Sequence, residues 1–176
     1  YSAAKPNTKI SYELGYDVNV QFANSSQIVE RKQQMGNYAL FASAEYRIYS
    51  KLTLRPGLRY GYNTRYAAPL IPSVNLLWKA SSQLDIRASY GKGFRQPGLK
   101  ELYFDFVDIN HNLYGNTSLK AEYADNYSLA ISYSGRRNGV GYKLNGSAFY
   151  NNIQNLITLA AVAGGAANEY TYLNIG

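Results

Sequence analysis

The chain has 176 residues with 19 tyrosines, 15 glycines, one histidine, no cysteine and a formal charge of +7. That composition excludes disulfides and thiolate metal sites, and a single histidine leaves little from which to build a zinc centre or a histidine-based triad. No segment approaches the run of about 18 apolar residues that a membrane helix needs, but a barrel strand meets lipid with alternate residues only, so a negative mean hydropathy leaves that architecture open.

Tyr1-Ser2-Ala3-Ala4-Lys5-Pro6 lacks the apolar stretch of a signal peptide. From Lys9 to Gln21 the sequence alternates. Ile10, Tyr12, Leu14, Tyr16, Val18 and Val20 share one face, while Ser11, Glu13, Asp17 and Asn19 share the other. That period of two over a dozen residues predicts a strand longer than most globular ones. A polar loop is expected over 24–36. A second strand follows over Asn37–Tyr49, then a tight turn at Ser50-Lys51 and a third strand over Leu52–Tyr66. Pro69–Lys79 reads as a fourth strand, 80–83 as a turn, and Leu84–Tyr90 as a fifth. A long loop occupies about 92–120. Tyr123–Tyr133 and Val140–Asn151 alternate again around the Asn-Gly turn of 135–139, the turn chemistry of a hairpin. An Ala/Gly-rich flexible loop is expected over about 159–168, and a last strand from Tyr170.

Eight strands emerge, with short turns near 50–51, 80–83 and 135–139 and long loops near 24–36, 92–120 and 159–168; the link at 67–68 breaks the rule. Short turns on one side and long loops on the other are the pattern of an outer-membrane barrel. A soluble β-sandwich shows the same alternation, with its apolar face buried. Strand length, the tyrosine content suited to interfacial girdles and the loop asymmetry favour the barrel. The charged face carries Arg47, Arg55, Arg59, Arg65, Arg87, Glu13, Asp17 and Glu45. Aromatics and arginines therefore lie mostly on opposite faces, which argues against nucleic-acid binding, where both share one groove. No catalytic, phosphate-binding or metal motif is present, so no enzyme activity and no cofactor are expected.

The most informative stretch is Arg87–Glu122. It holds Phe94-Arg95-Gln96-Pro97, a long aromatic loop, then Gly115-Asn116-Thr117-Ser118-Leu119 and Glu122. This resembles the barrel of the TonB-dependent outer-membrane receptors, which carry a Phe/Tyr-Arg-Ala-Pro box and an Asn-Pro-x-Leu box before a Glu; here Gln96 and Thr117 stand at the Ala and Pro positions. The resemblance implies an all-β, antiparallel transmembrane barrel, with residues 1–176 as part of a class that has about 22 strands and a plugged lumen. Plug, signal peptide and remaining strands would lie outside this sequence.

It further implies energy-dependent uptake across the outer membrane of a Gram-negative bacterium, driven by TonB acting on the plug. A ferric siderophore is the first expectation for the ligand, haem the second and cobalamin the third. A non-transporting small barrel and a soluble β-sandwich binding module are the alternatives. Candidate ligand residues are His111, a possible haem ligand or a solvent-exposed loop residue, and the aromatic group Tyr103, Phe104, Phe106 and Tyr114. Arg59 and Arg65 would either draw an anionic ligand inward or pair with carboxylates such as Glu13 and Asp17. The box residues Phe94, Arg95, Pro97, Gly115, Asn116, Leu119 and Glu122 are expected to anchor the base of the loop.

Overall fold

The computed structural model describes residues 9–108, 112–166 and 168–176. His111 lies outside the described residues. Antiparallel hairpins run through β1 (Ile10–Asn24), β2 (Lys32–Tyr49), β3 (Leu52–Asn63), β4 (Leu70–Lys79) and β5 (Leu84–Arg95). A one-turn helix, α1 (Leu99–Tyr103), and two short strands, β6 (Phe106–Val107) and β7 (Asn112–Tyr114), interrupt the series. The chain then returns as β8 (Glu122–Arg137) and β9 (Val140–Gln154), and ends in β10 (Leu156–Ala161) and β11 (Glu169–Ile175).

Seven strands form one antiparallel sheet in the order β1-β2-β3-β4-β5-β8-β9, and four form a smaller one in the order β10-β11-β7-β6. The smaller sheet stands at the long-loop end. Its one parallel contact joins β11 to β7, segments more than 50 residues apart.

The expected alternation sets the register of the large sheet. Tyr16, Leu40, Tyr60 and Leu70 line up across four strands on the apolar face. No described part of the chain covers that face: Leu14, Leu40, Tyr60 and Leu144 are each more than half exposed. Buried apolar side chains gather instead at the loop end, where Leu102, Leu119 and Ile157 form a small cluster packed by Tyr66, Tyr103 and Tyr172. A β-sandwich would bury the wide apolar face, whereas the wall of a membrane barrel turns such a face to lipid. Tyr90, Tyr127 and Tyr150 are directly opposite one another on β5, β8 and β9, with ring centroids 5.1 and 6.2 Å apart. Tyr133 and Tyr142 stand 6.0 Å apart near the short-turn end. Amphipathic rings at both ends of an apolar band are the girdle arrangement.

One turn and one strand position explain their residues. Asn138 and Gly139 form the two-residue link between β8 and β9, with φ of 51° and 81°. The primed turns that match strand twist require this left-handed backbone. On the polar face the Phe41 ring lies where a β-carbon on Gly15 would have to stand, so the strand keeps glycine there.

Three elements exceed the sequence-based expectation. The polar loop after β1 shrinks to 25–31, because Glu30 and Arg31 adopt left-handed backbone (φ 62° and 60°) and β2 starts at Lys32. The expected long loop contains α1, β6 and β7. The expected flexible segment 159–168 narrows because β10, through Ala161, pairs with β11. β6, β7 and β10 are two to six residues long, and β7 takes β11 as a partner from more than 50 residues away, so local alternation carries little trace of them.

Candidate functional site

The loop base is built around Arg95, the last residue of β5. Its Nε and Nη2 donate to the two oxygens of Glu122, the first residue of β8, at 2.8 and 2.6 Å. Its Nη1 donates to both oxygens of Glu101 on α1, at 3.0 and 3.1 Å. Each carboxylate also accepts a backbone N–H: Glu122 from Ile157 at 2.7 Å, and Glu101 from Gly98 at 2.7 Å. One planar guanidinium thus joins the ends of two strands, the helix and the start of β10; this is the bidentate geometry for which arginine is suited. The cluster stands above the tyrosine row, outside the apolar band. There Arg95 holds the Glu122 carboxyl below the usual range, the Ile157 N–H adds to this, and burial opposes it. Glu122 in turn raises the Arg95 guanidinium further above its ordinary value.

The second box locks the other end of the loop. Asn116 donates from Nδ2 to the Tyr172 carbonyl at 2.8 Å and accepts the Ser118 N–H at 2.9 Å. A β-carbon on Gly115 would lie 2.7 Å from the Tyr103 nitrogen and 2.8 Å from the Leu102 carbonyl carbon, so only glycine fits between β7 and α1. Pro97, Leu102 and Leu119 are buried, and the Phe94 ring meets Tyr123 at 5.5 Å. The Thr117 N–H makes no hydrogen bond among the described residues, so this turn asks for no donor at the position where the resembled family carries proline.

Arg65 follows β3 rather than lying within it. Its guanidinium donates to Gln33 Oε1 at 2.7 Å, to the Gln34 carbonyl at 3.3 Å and to the Tyr103 hydroxyl, and its central carbon is 4.9 Å from the Tyr103 ring centroid. Next to it the Tyr66 hydroxyl donates to the Leu119 carbonyl at 3.0 Å. Burial first, then Tyr103, pushes the Tyr66 phenol up. Arg59 pairs with Asp17 at 2.8 Å, and Arg55 with Glu13 at 3.2 Å.

The aromatic candidates separate into two groups. Phe104 and Phe106 stack with centroids 6.2 Å apart and planes 6° from parallel, and the Lys100 ammonium stands 5.6 Å from the Phe104 centroid. Tyr103 faces the other way, into the Leu102 cluster and Arg65. Tyr114 ends β7, one residue past the Leu113 that pairs with Phe106, and its carbonyl accepts the Thr171 hydroxyl at 3.1 Å.

Sequence reasoning missed Glu101 and the asparagines of the polar face. Glu101 carried a signal in its place three residues after Gly98, where a first-turn acid reaches back to a free N–H. Asn19, Asn37 and Asn63 stand directly opposite one another on β1, β2 and β3, and the Asn63 amide donates to Asn37 Oδ1 at 2.6 Å. With Gln21, Gln96 and the Arg59–Asp17 pair they line a hollow of about 320 Å³ near the loop end.

An amphipathic antiparallel sheet with long strands, an uncovered apolar face, short turns at one end and an arginine-anchored sub-sheet at the other is the wall of an outer-membrane-type β-barrel. The family model described as TonB dependent receptor-like, beta-barrel, matches residues 5–176, and the chain belongs to that family. Among curated proteins it is 28% identical over 128 residues to the Heme/hemopexin utilization protein C of Haemophilus influenzae, covering 62% of this chain and 18% of that protein. It is 29% identical over 120 residues to a Vitamin B12 transporter of Vibrio cholerae, covering 63% and 18%. Among solved structures, the siderophore receptor PirA of Pseudomonas aeruginosa superposes with a TM-score of 0.72 at 21% identity, covering 94% of this chain and 30% of that one. The Serratia marcescens hemophore receptor HasR, solved with its hemophore and heme, gives 0.77 at 16% identity, covering 94% and 34%. The chain therefore spans about a third of the solved receptors and less than a fifth of these curated relatives. The family consists of receptors and transporters, and those of Gram-negative bacteria are outer-membrane proteins.

Proposed function

We propose that residues 1–176 form part of the barrel wall and loop-end sub-sheet of an outer-membrane receptor for energy-dependent uptake of a ferric siderophore. The observation that carries the reading is the Arg95 cluster. It holds an ordered sub-sheet over the polar face of the wall, where a ligand arriving from outside would first meet the barrel. The stacked Phe104 and Phe106 with Lys100 offer a flat, cationic-edged surface there. The siderophore receptor among the similar structures supports this cargo class. On this reading, TonB acts through a plug outside the described wall, and lipid covers the apolar face. Deleting the gene should abolish uptake of radiolabelled iron from a ferric siderophore, and deleting tonB should do the same. Unchanged uptake in the gene deletion would reject the proposal.

A second reading, haem uptake, is favoured by the haem-utilisation relative and by His111. Titrating haem into the full-length protein and its His111→Ala form separates the two: an unchanged Soret band removes His111 as a ligand.

A further inference from the structure

The polar face between β1 and β3 carries a feature that the ferric-chelate reading does not use. Asn19, Asn37 and Asn63 form one row, Gln21 stands above it, and Gln96 reaches in from the end of the first box. One row below, Asp17, Ala39 and Gly61 are opposite one another. The small Ala39 and Gly61 make the floor of the hollow, and a β-carbon on Gly61 would lie 3.3 Å from that of Ala68. The Asn63 side chain is spent: its oxygen accepts the N–H groups of Arg65 and Tyr66 at 2.8 and 2.9 Å, and its nitrogen serves Asn37. That bond engages the Asn37 oxygen, and Asn37 itself lines the hollow. Asn19 and Gln21 are exposed there.

The charges are as informative as the amides. Among the described residues Arg59 is the only cation lining the hollow, and Asp17, 2.8 Å away, offsets it. The nearby Arg55 is offset by Glu13, while Arg65, outside the lining, keeps its charge and donates to the neutral Gln33 and Tyr103. A wall that attracts a polyanion would present unmatched cations. The lining of this hollow carries amide donors and acceptors and one matched ion pair.

We infer that the amide row Asn19–Asn37–Asn63, with Gln21 and Gln96 over the Arg59–Asp17 pair, receives an uncharged, hydrogen-bond-rich ligand surface, so that the cargo is an electrically neutral chelate rather than a polyanion. The inference rests on the ferric-siderophore reading and narrows it. Amides suit a periphery of carbonyl and N–H groups, and each buried polar contact left unmatched by a wrong ligand costs affinity.

The test uses the purified full-length protein and two probes, followed by fluorescence quenching: a neutral cyclic-peptide ferric trihydroxamate and a trianionic ferric tris(catecholate). The neutral complex is expected to bind at least about tenfold more tightly. Asn19→Ala and Gln96→Ala should each weaken it about fivefold, the worth of roughly one hydrogen bond. Asp17→Asn, which releases the Arg59 charge, should strengthen the trianion about fivefold relative to the neutral complex. Tighter binding of the trianion by the unaltered protein overturns the inference and leaves the siderophore reading standing. So does an Asp17→Asn variant that treats the probes as before. Binding of neither complex overturns both.

Discussion

Arg95 and Glu122 end one strand and begin its neighbour, and they meet through two parallel hydrogen bonds of 2.8 and 2.6 Å although 26 residues of chain run between them. The pair closes the loop at its base, much as a clasp closes a necklace. Everything between them, α1, β6, β7 and the second box, is then held over the polar face.

Arg95→Ala leaves Glu122 and Glu101 facing each other without their shared cation. Hydrogen bonds to charged groups contribute about 1.5–3 kcal/mol. The amides of Gly98 and Ile157, which the two glutamates accept, are expected to lose about 2 kcal/mol of protection, roughly 30-fold in exchange rate. Hydrogen exchange of the full-length protein reads this. Arg95→Lys should recover only a fraction, because an ammonium cannot bridge both carboxylates in fork geometry.

The same contact has a pH signature. The folded-state value of Glu122 lies below that of an unfolded glutamate. Its contribution is therefore complete above about pH 4.3, the ordinary glutamate value, and is lost as pH falls through the lowered folded value. Protection of the Ile157 amide, corrected for intrinsic exchange, should be level from pH 7 to 5 and drop only in stronger acid. A decline centred near pH 6 would show that some other group governs the sub-sheet.

Gly115→Ala drives a methyl into the backbone of Leu102 and Tyr103. Overpacking of this kind costs about 1–3 kcal/mol, and limited proteolysis should cut the 96–121 loop faster. Gly141→Ala is the contrast, since nothing lies within 4 Å of an added methyl there. Its digestion pattern should match that of the unaltered protein.

Leu129 and Ala130 are neighbours on β8 that face opposite sides. A lysine at Leu129 enters the apolar belt and should cost about 2–4 kcal/mol if it lies at the bilayer midplane. A lysine at Ala130 faces the charged side and should cost far less. The fraction of heat-modifiable, folded barrel on a gel distinguishes the two variants.

The large sheet was legible because a half-lipid, half-polar environment writes its period into each strand, and the two faces follow from the alternation in Lys9–Gln21, Asn37–Tyr49 and their successors, although several strands run some residues beyond or short of it. The boxes were legible as motifs, though not the reach of Arg95 to Glu101. What stayed hidden is what is short or depends on a distant partner. Leu156–Ala161 is one short arm of a hairpin with Glu169–Ile175, and Asn112–Tyr114 is three residues held between β6 and β11. Arg65 sat at the end of an alternating run and so read as one more polar-face arginine. The chain in fact leaves the strand at Asn63, whose oxygen takes the next two free N–H groups and turns Arg65 toward Tyr103.

The parallel join of β11 to β7 has a practical meaning for anyone exchanging loops between receptors. The segment 96–121 and the segment 155–175 share one sheet and one apolar cluster, with two complete strands of the wall between them in sequence. A chimera that imports the first without the second presents the newcomer with a foreign partner strand. The unit of transplantation is the pair.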